Sequence, residues 1–113
     1  MKSALLLPLT MLSTAFAAVA ADKDTRVFEM RTYYAAPGKL DALNSRFRDH
    51  TVGLFTKHGI TNVGYWTPIE NPDNKLIYVL AYPDKAARDA SWKEFIADPD
   101  WQKAQKASEV GSC

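Results

Sequence analysis

Cysteine is nearly missing from this sequence. Cys113 is the only one in 113 residues, so no intramolecular disulfide can brace the fold. A surplus of either charge is missing too. The 14 Lys and Arg stand against 13 Asp and Glu, which excludes a nucleic acid gripped by bulk electrostatics, because such binders carry a basic excess on one face. Glycine is sparse, at five residues. None of them belongs to a phosphate-cradling loop or to the Gly-x-Ser-x-Gly elbow of a serine hydrolase. No His-x-x-x-His, cysteine pair or carboxylate cluster stands at metal-ligand spacing, so neither a metal nor a cofactor is expected. Internal repeats and long linkers are absent as well. What the chain does have is 47% apolar and 12% aromatic residues. That is material for one small core, and it argues against low-complexity disorder.

Long apolar runs are confined to the N-terminus. After Lys2 there is no charge until Asp22, and 13 of the 17 residues from Ala4 to Ala20 are apolar. Pro8, Thr10, Ser13 and Thr14 interrupt the run, which falls short of the ~20 residues a bilayer-spanning helix needs. It ends in Ala18-Val19-Ala20, a small-x-small cleavage pattern. Residues 1–20 are therefore expected to be a cleaved secretory signal, with the mature protein periplasmic or secreted and without a membrane span. The alternative is an uncleaved anchor that presents the same domain on the outer side. Removing residues 1–20 leaves 93 residues with 13 charges of each sign. A chain this small buries only about 60–65% of its unfolded surface, so association would stabilise it substantially.

The mature part reads as alternating elements. Val27 to Tyr34 alternates as a strand, and Pro37-Gly38 marks a turn. Leu40, Leu43, Phe47, His50, Leu54 and Phe55 then recur at helical steps until Lys57-His58-Gly59, where Gly59 suits the left-handed C′ position and His58 a capping role. Thr61 to Thr67 is a second strand stopped by Pro68, and Asn71-Pro72-Asp73-Asn74 is turn chemistry. Leu76 to Tyr82 is a third strand, apolar on both faces. Asp84 caps a second helix through Ala87, Trp92, Phe95 and Ile96, and Asp98-Pro99 starts another that ends near Glu109.

This order predicts an α+β, ferredoxin-like βαββα(αβ) domain with its helices on one face of an antiparallel sheet. The pattern shows no final strand, which leaves the first strand with an open edge. If the helices cover Phe28, Met30 and Tyr34, the other face carries Glu29, Arg31 and Tyr33. That face also holds Trp66 or Tyr65, and either Tyr78, Leu80 and Tyr82 or Ile77, Val79 and Ala81 from the third strand. Such a face is too apolar for water. It predicts a homodimer through the sheet, with room between the two sheets for a small apolar or aromatic ligand.

Four residues are candidates for chemistry. Glu29, Arg31 and Tyr33 project to one face of a strand, where Arg31 would hold an anionic oxygen and Glu29 would take a proton. The same pair could instead fix dimer register as an ion pair. His50, on the apolar stripe of the first helix, is a candidate base, against its plainer role as a core histidine. Arg46 and Arg48 read as a solvated helix face. The tryptophans and tyrosines read as core and interface, and Cys113 as a free thiol able to form an intermolecular disulfide.

Several stretches together resemble one family. Val27-Phe28-Glu29-Met30-Arg31-Thr32-Tyr33, Pro37-Gly38-Lys39-Leu40 and Arg46-Phe47-Arg48-Asp49-His50-Thr51 are similar to the NIPSNAP family. So are His58-Gly59-Ile60, Gly64-Tyr65-Trp66, Leu76-Ile77-Tyr78 and Asp98-Pro99-Asp100-Trp101. The likeness covers roughly residues 26–110, and it implies a ferredoxin-like subunit in a dimeric α+β barrel. It also implies a final strand after Ser108-Glu109 that this sequence does not show. No catalytic set comes with the resemblance. The expected function is that of a homodimeric binding or interaction module of undefined biochemical activity. The alternative is a small cofactor-independent dimeric-barrel enzyme, monooxygenase- or isomerase-like, acting on an aromatic or dicarbonyl compound.

Overall fold

The computed structural model describes residues 24–108 and the strand pair Gly111–Ser112. The expected signal segment and Cys113 lie outside the described residues. Strand β1 spans Val27–Ala35, β2 Thr61–Trp66 and β3 Lys75–Tyr82, each within a residue of its expected bounds. Gly38 makes the first turn at φ +75, and α1 follows over Leu40–Arg46. The helical rod continues as a π-helical stretch, Phe47–Thr51, and then as α2, Val52–Lys57. Gly59 ends it at φ +76, which lets the Ile60 amide bond back to the Phe55 carbonyl. Asn71 braces the β2–β3 turn by accepting from the Lys75 amide at 2.7 Å and donating to its carbonyl at 2.9 Å. Asp84 caps α3, Lys85–Ala97, by accepting from the Ala87 amide. Asp98 does the same for α4, Pro99–Ser108, through the Asp100 amide.

The strands are antiparallel in the order β2-β3-β1-β4, so β3 and β1 are central. β4, Gly111–Ser112, pairs only with Tyr34 and Ala35. A final strand, which the sequence pattern does not show, is therefore present, and it is too short to stand out as a periodic run; among the described residues nothing else pairs along that edge of β1.

Pairing register assigns the two faces, because directly opposed residues point the same way. One face carries Val27 with Tyr82, Glu29 with Leu80 and Asn62, Arg31 with Tyr78 and Tyr65, and Tyr33 with Leu76. The helices lie on this face, where Tyr33, Leu76, Tyr78, Leu80 and Tyr82 join Leu43, Phe47, Phe55 and Phe95 in the core. The opposite face carries Phe28 with Ala81 and Thr61, Met30 with Val79 and Gly64, Thr32 with Ile77 and Trp66, and Tyr34 with Lys75. No described residue forms a layer over it.

The faces are thus exchanged relative to the sequence expectation. Phe28 and Met30 are 57% and 72% exposed, whereas Tyr33 is buried. Alternation alone favoured the more apolar set for the core. The choice is settled instead by what the helices bring, since α3 presents Arg88 and Trp92 to Glu29 and Tyr82.

Candidate functional site

Glu29, Arg31 and Tyr33 sit beneath the helices, each in a different setting. The Glu29 carboxylate accepts from the Tyr82 hydroxyl at 2.8 Å and from Arg88 Nη2 at 2.7 Å, and Arg31 Nη1 stands 3.5 Å away. Trp92 Nε1 donates to the Tyr82 hydroxyl at 2.6 Å, completing a chain from indole to phenol to carboxylate. Burial pushes the Glu29 carboxyl up, but the hydrogen bonds from Arg88 and Tyr82 outweigh it and hold the group below its ordinary range. Burial also pushes the Tyr82 phenol up to about 12, with the bond to Glu29 adding to the rise. Glu29 is therefore a committed anion, poorly suited to take a proton. Arg31 donates from Nε to the Tyr78 hydroxyl at 3.2 Å, and its guanidinium lies 4.4 Å from the Trp92 ring centre.

A cavity of about 210 Å³ lies between the sheet and the helices. Arg31, Tyr33, Phe47, Trp92, Trp101 and Gln105 are among its walls. This cavity lies inside one subunit, under the helix layer, and is distinct from the space between two sheets named in the sequence expectation.

His50 is not part of this group. It is exposed and lines a groove of about 510 Å³ between the long helical rod and α4, beside Asp49, Asp100 and Lys103. The reason is the π-helical stretch. A wider turn lets residues four apart stay in line, so Phe47, Thr51 and Phe55 face the core and His50 turns outward. His58 acts across the fold rather than as a simple cap. Its Nε2 meets Asp98 Oδ2 at 2.7 Å, and Lys57 Nζ reaches the same oxygen at 2.8 Å, tying the end of α2 to the α3–α4 junction. Those bonds, led by the one from Lys57, hold the Asp98 carboxyl far below the usual range.

The sequence reading missed Arg46, which it placed in solvent. Arg46 is only 4% exposed, with its guanidinium among the rings of Tyr33, Trp101 and Phe47 at 5.0, 5.1 and 5.6 Å. The available signal was its position three residues after Leu43 and next to Phe47, on the stripe itself. Among the described residues, no three His, Cys, Asp or Glu side chains gather closely enough to hold a metal ion.

The NIPSNAP family model matches residues 28–112, which includes every element described above. The chain belongs to the NIPSNAP family. Solved NIPSNAP structures agree with this subunit. A NIPSNAP domain protein from Burkholderia xenovorans is 28% identical, with a TM-score of 0.65 over 74% of this chain and 82% of its own. A NIPSNAP-like domain protein from the same organism has 17% identity and a TM-score of 0.71 over 80% and 79%. A putative antibiotic biosynthesis monooxygenase from Bacteroides thetaiotaomicron, at 18% identity and a TM-score of 0.57 over 79% and 82%, shares the fold. No curated protein matches significantly. The biochemical activity of this NIPSNAP domain therefore has to be argued from its own surfaces and cavity.

Proposed function

We propose that this NIPSNAP chain is an exported, homodimeric binding module that pairs through the uncovered face of its sheet. One observation carries the reading. The rows Thr61-Ala81-Phe28, Gly64-Val79-Met30 and Trp66-Ile77-Thr32 form a face that no described residue covers, with its described cations at its two ends: Lys75 beside Tyr34, and Arg26 over the Phe28 ring, where it pairs with Asp24. Burying side chains such as Phe28, Met30 and Trp66 is worth about 1.5–3 kcal/mol each. A face whose middle rows carry no charge suits a second copy about a two-fold axis better than a partner that needs complementary charge. The near-zero net charge of the chain offers no opposition.

The notion that Glu29 and Arg31 set dimer register loses its basis, because both lie on the helix side. The rival enzyme reading draws on the likeness to the putative monooxygenase and on the cavity. It is weakened because Glu29, the candidate base, is held ionised by hydrogen bonds from Arg88 and Tyr82 and is not among the walls of the cavity. Export rests on the N-terminal segment.

Sedimentation equilibrium at micromolar concentration is expected to give twice the subunit mass. Phe28→Ser with Met30→Asp should give a single subunit with an unchanged helical circular dichroism spectrum. A wild-type chain that stays monomeric there would end the proposal. N-terminal sequencing of protein from the extracytoplasmic fraction should begin at Ala21, and an intact Met1 on a cytoplasmic product would remove the export part.

A further inference from the structure

Five arginines lie among the described residues, and four of them meet a carboxylate. Arg26 pairs with Asp24, Arg31 and Arg88 with Glu29, and Arg48 with Asp49. Arg46 does not. It is the most buried of the five, and its Nη1 donates to the Ser108 hydroxyl at 3.2 Å while Nε and Nη2 are buried without an acceptor. Aromatic rings on three sides offset part of the cost of burying the cation. They cannot satisfy the two N–H groups, and an unpaired buried charge is among the costlier features a fold can keep.

The unfilled edge has a definite chemistry. Nε and Nη2 form the planar fork that grips a carboxylate through two parallel hydrogen bonds. Tyr33, Phe47 and Trp101, the rings around the guanidinium, also wall the 210 Å³ cavity; Arg46 lies behind them and is not itself a wall, so a ligand in the cavity reaches its fork only where this side of the fold opens. That volume holds a single substituted aromatic ring, since a cavity of ~150 Å³ already admits benzene. The cover is light. α4 supplies Trp101, Gln105 and Ser108 to this region, yet none of its residues is fully buried, so the helix can give way to a ligand without dismantling the core.

We propose that the space under α4 is a binding site for a small aromatic monocarboxylate, with its ring in the cavity and its carboxylate on the Nε–Nη2 edge of Arg46. This goes beyond the sheet-face proposal and stands or falls separately from it. The site is internal to one subunit, so its binding is expected to survive the Phe28→Ser, Met30→Asp changes.

The test titrates the purified full chain with phenylacetate and with phenylacetamide, its neutral isostere, following tryptophan emission and thermal midpoint. Phenylacetate is expected to saturate the emission change and raise the midpoint, with the amide at least about tenfold weaker. Arg46→Lys keeps a cation but loses the fork, and should weaken phenylacetate by a similar factor with little change in the unliganded midpoint. Arg46→Met should abolish binding while the domain remains folded, because three rings already surround the position. Equal binding of acid and amide, or no saturable change up to about 10 mM acid, would overturn the site. So would a result in which Glu109→Gln lowers the midpoint as Arg46→Met does and the wild type binds no acid. The carboxylate would then be the chain's own.

Discussion

The two faces of the sheet divide their residues against simple expectation. The covered face holds Glu29, Arg31, Asn62 and four tyrosines, whereas the bare face holds Phe28, Met30, Ile77, Val79 and Trp66. Under the helices, the polar groups of the sheet itself are tolerated because they are answered. Glu29 meets Arg88 and Tyr82, Tyr82 meets Trp92, and Asn62 donates to the Val52 carbonyl at 3.1 Å. Across its middle the bare face carries Phe28, Met30, Ile77, Val79 and Trp66, with Arg26 and Lys75 at its ends. The covered face therefore sets the subunit's own fold, while the bare face is suited to association.

Breaking the covered face should have the largest effect. Phe95 is buried against Phe55, Trp92 and Trp101, with ring centres 4.6 to 5.3 Å apart. Phe95→Ala is expected to cost about 3–5 kcal/mol in urea denaturation, because the cavity left behind cannot close between two helices and a sheet. That is a large part of the ~5–15 kcal/mol that a domain commands. A loss under about 1 kcal/mol would mean that the aromatic cluster is not the core.

Next in size is Glu29→Gln, which keeps the shape and removes the charge that Arg88 and Tyr82 share. A loss of about 1–2 kcal/mol is expected, because Arg88 is partly exposed and water can take it back. Arg88→Met on top of Glu29→Gln should cost less than the sum of the two single changes, as a double-mutant cycle would read. Additive losses would show that the two groups do not act as a unit.

How much of this was legible follows from particular residues. Strand positions, the Gly59 stop, the Asp84 and Asp98 caps and the family likeness are local features, and local chemistry wrote them into adjacent residues. The face assignment is not local. In β1 a tyrosine lies on each side, Tyr33 and Tyr34, and the deciding partners of Glu29 come from Tyr82 and Arg88, more than 50 residues away. The π-helical stretch, Phe47–Thr51, is likewise invisible to a 3.6-residue template, and that misplaced His50. Of the four candidate residues, three share one region and His50 does not. The buried arginine was the residue that the pattern should have queried, since it falls on the stripe between Leu43 and Phe47.

The Asp98 clamp gives a pH test of the covered side. Its carboxyl is held below the 3.8 of a free aspartate by Lys57, His58 and the Asp100 amide. A folded-state value lower than the unfolded one contributes stability that is present above the unfolded value and is lost as pH falls toward the folded one. The wild-type thermal midpoint should therefore drop as pH goes below about 4. Asp98→Asn should be less stable at neutral pH and show a flatter acid limb. Parallel limbs in the two proteins would remove Asp98 from the account.

The smallest expected effect sharpens the view of the bare face. A Cβ on Gly64 would come within 2.7 and 2.9 Å of the Trp66 indole, so the ring lies over the glycine on the uncovered side. Gly64→Ala must swing the ring away while leaving the helix side untouched, and subunit stability should stay within about 0.5 kcal/mol. Dimer dissociation is where the change belongs, since a displaced indole alters the shape of the face that meets its copy. Pairing Gly64→Ala with Trp66→Ala separates steric from area effects. If displacement of the ring is the cause, the glycine change has no further effect once the indole is gone. A Gly64→Ala effect that persists without Trp66 would place the disturbance in the strand backbone, at the Asn62/Gly64 irregularity of the β2–β3 pairing.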